Sequence, residues 1–182
     1  MISNIVKAGL LAGAIAGGGL SLVVAIAGDR LGFGGAAMAV GYAIMLVAFS
    51  VVFLAVRHQR DVAGGGVIRF WPAFGMGLAI SIIAGVVYVA AWELAQATVM
   101  EGDFATRYAA AMVAERRAAG ASAAEIARLS TDLAKFVADY RDPLVRWPMT
   151  FLEILPVGIL VSLVSAALLR NPRFLPARAS HE

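Results

Sequence analysis

Two carboxylates are the residues of this chain best placed to do chemistry. Glu93 closes an apolar run that begins near Ala73, and Glu153 lies inside another that ends near Leu169. A carboxylate at the edge of lipid is costly unless it is solvated, paired or protonated. Two of them at similar depth would offer a proton- or cation-binding pair, or a gate. The plainer alternative is interfacial solvation or an ion pair, for instance with Arg146. Pro156 lies three residues beyond Glu153, lacks the amide that Leu152's carbonyl would accept from, and could open a polar notch there.

Other chemistries are poorly served. With no cysteine there is no disulfide, thiolate metal site or cysteine nucleophile. Both histidines, His58 and His181, fall outside the apolar runs, which argues against an intramembrane metal or haem site. Asp61-Val62-Ala63-Gly64-Gly65-Gly66 is rich in glycine, but it lacks the GxxxxGK[ST] pattern of a phosphate loop and follows no strand. Nowhere do a nucleophile, an acid–base pair and a charge stabiliser gather. The expectation is a non-enzyme without a cofactor.

The elements that must position these residues are helices in lipid. Hydrophobic residues make up 61% of the 182 and charged residues only 15%, against about 45–50% and about 25% in soluble domains. The charges collect between long uncharged stretches. About 20 apolar residues at 1.5 Å rise cross the hydrocarbon layer. Four segments qualify, at about 8–27, 33–56, 73–93 and 149–169. The fold class expected is an all-α membrane protein, a single membrane domain over 1–182. It has four transmembrane helices and an extracytoplasmic helical hairpin between spans 3 and 4.

Charge asymmetry orients the spans. Arg57, Arg60 and Arg69 stand against Asp61 in one connection, the tail carries Arg170, Arg173 and Arg178, and Lys7 precedes the first span. All three regions fall on one side of a four-span chain. The positive-inside rule places that side, with both termini, in the cytoplasm of a bacterial inner membrane. Arg57, Arg60, Arg69, Arg170 and Arg173 are then candidates for contact with anionic headgroups. The pI of about 9.7 therefore reflects the bilayer as partner and not nucleic acid. Trp71, Trp92 and Trp147 sit at span ends, where an amphipathic indole suits the interface. Ala25-Ile26-Ala27 has the small residues of a signal-peptide cleavage site, but the basic region before it is thin and the apolar run is longer than usual.

Residues 101–147 carry as many acids as bases and show helical stripes. Phe104, Tyr108 and Met112 recur every four residues. Gly120 is a plausible stop, and Ser122 with Glu125 forms a capping box. Ile126, Leu129, Leu133, Phe136, Val137 and Tyr140 mark one face of a second helix, which Asp142-Pro143 ends. These stripes pack on each other or on the bilayer surface. The alternative is that they dock an extracytoplasmic protein partner or line a ligand cleft.

Within the spans, Gly9, Gly13 and Gly17 share one helical face, so a second backbone can approach closely. Weaker versions are Gly77, Ser81 and Gly85 after Ala73, and Gly158 and Ser162 before Ala166. Such faces serve packing within the chain, the seam of a homo-oligomer or a hinge. Gly17-Gly18-Gly19 lowers helix propensity and could loosen the first span.

Four pieces in order, KAGLLAGAIAGGGL, RHQRDVAGGGVIRFWPAFGMGLAISIIAGVVY, GASAAEIARL and EILPVGILVSLVSAALLR, resemble the bacterial membrane-protein family catalogued as domain of unknown function 4199. The resemblance covers nearly the whole chain and implies a four-span inner-membrane protein. It supplies no activity or catalytic residue. The function expected is a non-enzymatic accessory, scaffold or interaction subunit. The alternative is a small oligomeric transporter or channel using Glu93 and Glu153.

Overall fold

The structure is a computed structural model that describes residues 2–27, 35–98 and 102–176. The short connection Gly28–Gly32 lies outside them. Among the described residues there are six helices: α1 (Ile2–Ala27), α2 (Gly35–His58, extended by a π-helical turn Gln59–Ala63), α3 (Phe70–Thr98), α4 (Phe104–Ala118), α5 (Ala123–Tyr140) and α6 (Pro143–Leu169). Four of them, α1, α2 with its π turn, α3 and α6, are long and apolar enough to cross a membrane.

The boundaries depart from the hydropathy reading where local signals act. The fourth long helix begins at Pro143, not Met149, because Asp142-Pro143 does two jobs. It stops α5, and it starts α6 with proline at the first position and the Asp142 carboxylate accepting from the Leu144 amide at 2.9 Å. α3 runs on to Thr98 because no breaker follows Glu93. Between α4 and α5, Gly120 takes φ +80°, and Ser122 and Glu125 form the reciprocal capping box (Ser122 amide to Glu125 Oε2, 2.8 Å). The triple glycine does not interrupt α1, and α6 runs through both Pro148 and Pro156.

The four long helices form a bundle in which α3 packs between α1 and α6, and α2 closes against both. Small residues allow the close approach. A Cβ on Gly9 would lie 2.6 Å from Ile83 Cβ, and one on Gly13 would lie 2.5 Å from Val87 Cβ and 2.8 Å from the Ala84 carbonyl. Gly17 sits likewise on Ala91. The rows 9, 13, 17 and 83, 87, 91 ascend together, so α1 and α3 are parallel. This glycine face is filled within the chain and is not a seam left open for a second copy.

The α3–α6 contact is antiparallel. Gly77 meets Ser162, and Gly158 meets Ser81. The two hydroxyls lie 3.3 Å apart, and each also donates to the carbonyl four residues back, Ser81 to Gly77 and Ser162 to Gly158. Each buried hydroxyl is thus satisfied without a partner from outside. Gly85 lies against the Phe151 ring.

Arg60 departs from expectation. It is fully buried and so makes no headgroup contact. It continues the buried stripe of Val52 and Val56 at four-residue spacing, so its side chain points inward. Nε donates to Asp61 at 2.6 Å, and the two terminal nitrogens donate to the carbonyls of Phe174 (2.8 Å) and Leu175 (2.5 Å). Arg57 also pairs with Asp61, at 3.4 Å. The chain after α6 is thereby tied to the end of α2. Gly65 and Gly66, at φ +58° and +87°, turn the chain back, with the Gly66 amide donating to the Arg60 carbonyl. Arg69, Arg170 and Arg173 stay exposed at this Arg60 end, free to meet headgroups.

Candidate functional site

The two carboxylates do not form a pair. The α3–α6 register, 77 opposite 162 and 81 opposite 158, places Glu93 level with Arg146 and Glu153 level with Val86. Glu153 is therefore two turns deeper, about 10 Å at helical rise. The expectation of equal depth assumed a fourth helix starting at Met149, and the earlier start at Pro143 removes it.

Glu93 joins α3 to the start of α6. Its carboxylate accepts two hydrogen bonds from Arg146, Nε at 2.7 Å and a terminal nitrogen at 2.6 Å. This fork-to-fork geometry is the strong form of the pair. Arg146 also donates to the Tyr140 carbonyl at 3.0 Å, and its guanidinium lies 5.7 Å from the Tyr140 ring centre. Beside it the Trp92 indole donates to the Tyr140 hydroxyl at 2.8 Å. Trp92 is buried at this joint and is not an interfacial anchor, whereas Trp71 and Trp147 remain exposed. Burial pushes the Tyr140 phenol above its ordinary range, against the hydrogen bond from Trp92.

From Trp92 an aromatic ladder leads into the two shorter helices. Ring centres are 4.9 Å apart for Trp92–Phe104, 5.6 Å for Phe104–Tyr140, 5.7 Å for Tyr108–Phe136 and 5.3 Å for Phe136–Tyr140. The apolar stripes of α4 and α5 close on each other, and their base closes on α3. At that base the Thr106 hydroxyl donates to Asp103 at 2.7 Å and, with Arg141, holds its carboxyl below the usual range. The i, i+4 aromatic spacing was visible in the sequence. Its continuation through Trp92 was not, because it joins helices distant in sequence.

Glu153 faces a different environment. It lines a half-open cavity of about 320 Å³ bounded by α1 (Ala16, Leu20), α2 (Ala37 to Met45), Tyr88 of α3, and Phe104 and Tyr108 of α4. Its carboxylate makes no hydrogen bond or ion pair among the described residues. The cavity was not legible in the sequence, since its walls come from five helices. Among the described residues no cluster of histidine, cysteine or acid could hold a metal ion.

Comparison with known proteins adds one match. The family model described as Protein of unknown function (DUF4199) matches residues 9–171. No curated protein and no solved structure matches the chain.

Proposed function

The chain belongs to the DUF4199 family, whose function is unknown, and on that premise we propose that it is a non-enzymatic accessory or interaction subunit of a bacterial inner membrane. It crosses four times with both termini in the cytoplasm, and α4 and α5 form an extracytoplasmic helical hairpin. The observation that carries the reading is the mounting of that hairpin. Its base is braced to α3 and α6 by the Glu93–Arg146 fork and the Trp92–Tyr140 bond, while residues 114–120 and most of α5 are exposed. A surface held in fixed orientation loses little freedom when a partner docks, which suits a protein that acts by contact. The gathering of Arg57, Arg69, Arg170 and Arg173 at the opposite end supports the cytoplasmic assignment.

Topology is checked with reporters. A fusion after Glu182 or an insertion within Val62–Gly66 is expected to report cytoplasm, and an insertion at Gly120 the outside. An outside signal from the C-terminus would overturn the arrangement.

A second reading, a small transporter, is favoured by one observation, Glu153 in its cavity with no partner among the described residues. Glu93 supports it less, being held by Arg146. Proteoliposomes decide between the two. The contact reading expects no saturable proton or cation flux above protein-free vesicles. Flux that Glu153→Gln abolishes would establish transport instead.

A further inference from the structure

We propose that the cavity at Glu153 is a binding site for an amphipathic organic monocation, its ammonium-type head against the Glu153 carboxylate and its apolar body among the surrounding rings and aliphatic side chains. The site would operate whether the hairpin serves a partner or the bundle moves a solute.

The charge is argued from pairing. Glu93, the other acid of the long helices at this end, already has a cation bound in both hydrogen-bonding positions, so the Glu93–Arg146 unit brings no net charge to the cavity. Among the described residues Glu153 has no such partner. Glu153 lines the cavity but is itself exposed, and within a membrane-spanning helix an ionised carboxylate so placed is costly unless a counter-charge, a proton or water meets it. A ligand with one positive charge would supply the counter-charge, and a dication would bring a second with nothing to meet it.

The ligand class is argued from the walls. Tyr42, Tyr88, Phe104 and Tyr108 all line the cavity, and Phe104 and Tyr108 stack with centres 6.1 Å apart. Aromatic faces attract poorly hydrated cations such as quaternary ammonium groups. Inorganic divalent cations are served badly, since they take about six or more oxygen ligands and the wall offers one carboxylate and a few phenols. Leu20, Met38 and Met45 leave an apolar remainder for the ligand's body. A volume of about 320 Å³ is at the low end of small-molecule pockets, about 300–1,000 Å³. Gly41 contributes open space, because a Cβ there would meet no atom within 4 Å.

The test is a calorimetric titration of the full-length protein in uncharged maltoside micelles with benzyltrimethylammonium. Its neutral isostere neopentylbenzene serves as competitor. Saturable one-to-one binding is expected. Glu153→Gln keeps the shape and removes the charge–charge attraction, and should weaken binding about tenfold or more. Gly41→Leu fills the cavity and should abolish binding while the thermal midpoint stays at the wild-type value or rises slightly through the gain in helix propensity. Neopentylbenzene should compete at least about tenfold more weakly than the cation. Absence of saturable binding overturns the proposal. So does equal affinity in Glu153→Gln, equal competition by the neutral isostere, or full binding by Gly41→Leu. Equal competition would mark the cavity as an apolar recess that takes any chain of the right size. Should Glu153→Gln fail to fold, the isostere and Gly41→Leu still decide.

Discussion

Gly13→Leu is expected to cost at least about 3 kcal/mol of bundle stability, the upper part of the range for overpacking a well-filled core. Even an added Cβ would stand 2.5 Å from Val87 Cβ and 2.8 Å from the backbone oxygen of Ala84. A backbone oxygen cannot rotate away, so α1 and α3 must separate. Separation removes the dispersion contacts along 9–83, 13–87 and 17–91 together. In lipid no hydrophobic force pulls the helices back, because the tails are as apolar as the side chains. Gly18→Ala is the internal control. A Cβ there would meet nothing within 4 Å, so only helix propensity changes, and a gain of about 0.5–1 kcal/mol is expected. Unfolding in mixed micelles by sodium dodecyl sulfate titration reads both. Equal midpoints for Gly13→Leu and Gly18→Ala would mean that α1 does not seat on α3 through this face.

Arg146→Leu is expected to cost about 2–3 kcal/mol, below the 3–5 kcal/mol of a fully buried broken pair. The discount reflects exposure, since the side chains of Arg146 and Glu93 are 15% and 30% exposed and water can reach the stranded carboxylate. The loss has two sources. Glu93 loses its charged donor, keeping the 3.5 Å hydrogen bond from Gln96, and the Tyr140 carbonyl loses the hydrogen bond that seats the end of α5. The double variant Glu93→Leu, Arg146→Leu removes both charges and should be more stable than the two single losses add up to, by about 1–2 kcal/mol. Hydrogen exchange localises the effect. Arg146→Leu should speed exchange in α4 and α5 and leave the Arg60 end unchanged. Strict additivity, or uniform acceleration across the bundle, would show that the fork does not brace the two helices.

Much of this architecture was legible because its signals are local. The Ser122–Glu125 box, the positive φ at Gly120 and the stop at Asp142-Pro143 each depend on residues within four positions of one another. The start of α6 was missed for a related reason. Hydropathy averages over a window, whereas a proline at a helix start with an aspartate before it acts at one position. Arg60 was misplaced by its type: an arginine in a basic loop reads as solvent-facing, although its spacing from Val52 and Val56 continues the buried stripe.

The four long apolar helices, the two shorter ones between the third and fourth, the Ser122–Glu125 cap and the faces that carry small residues are all written in the sequence. These follow from composition, from periodicity and from hydrogen bonding within a turn. What each face and each charge meets depends instead on how the helices pack against one another. The α3–α6 register sets Arg146 opposite Glu93 and leaves Glu153 two turns deeper against a cavity. The parallel seating of α1 on α3 consumes the glycine stripe. The physical reason is that register is chosen by the packing of side chains from helices distant in sequence, and a slip of one turn, about 5.4 Å, would exchange the partner of every charge at the joint without altering any local signal.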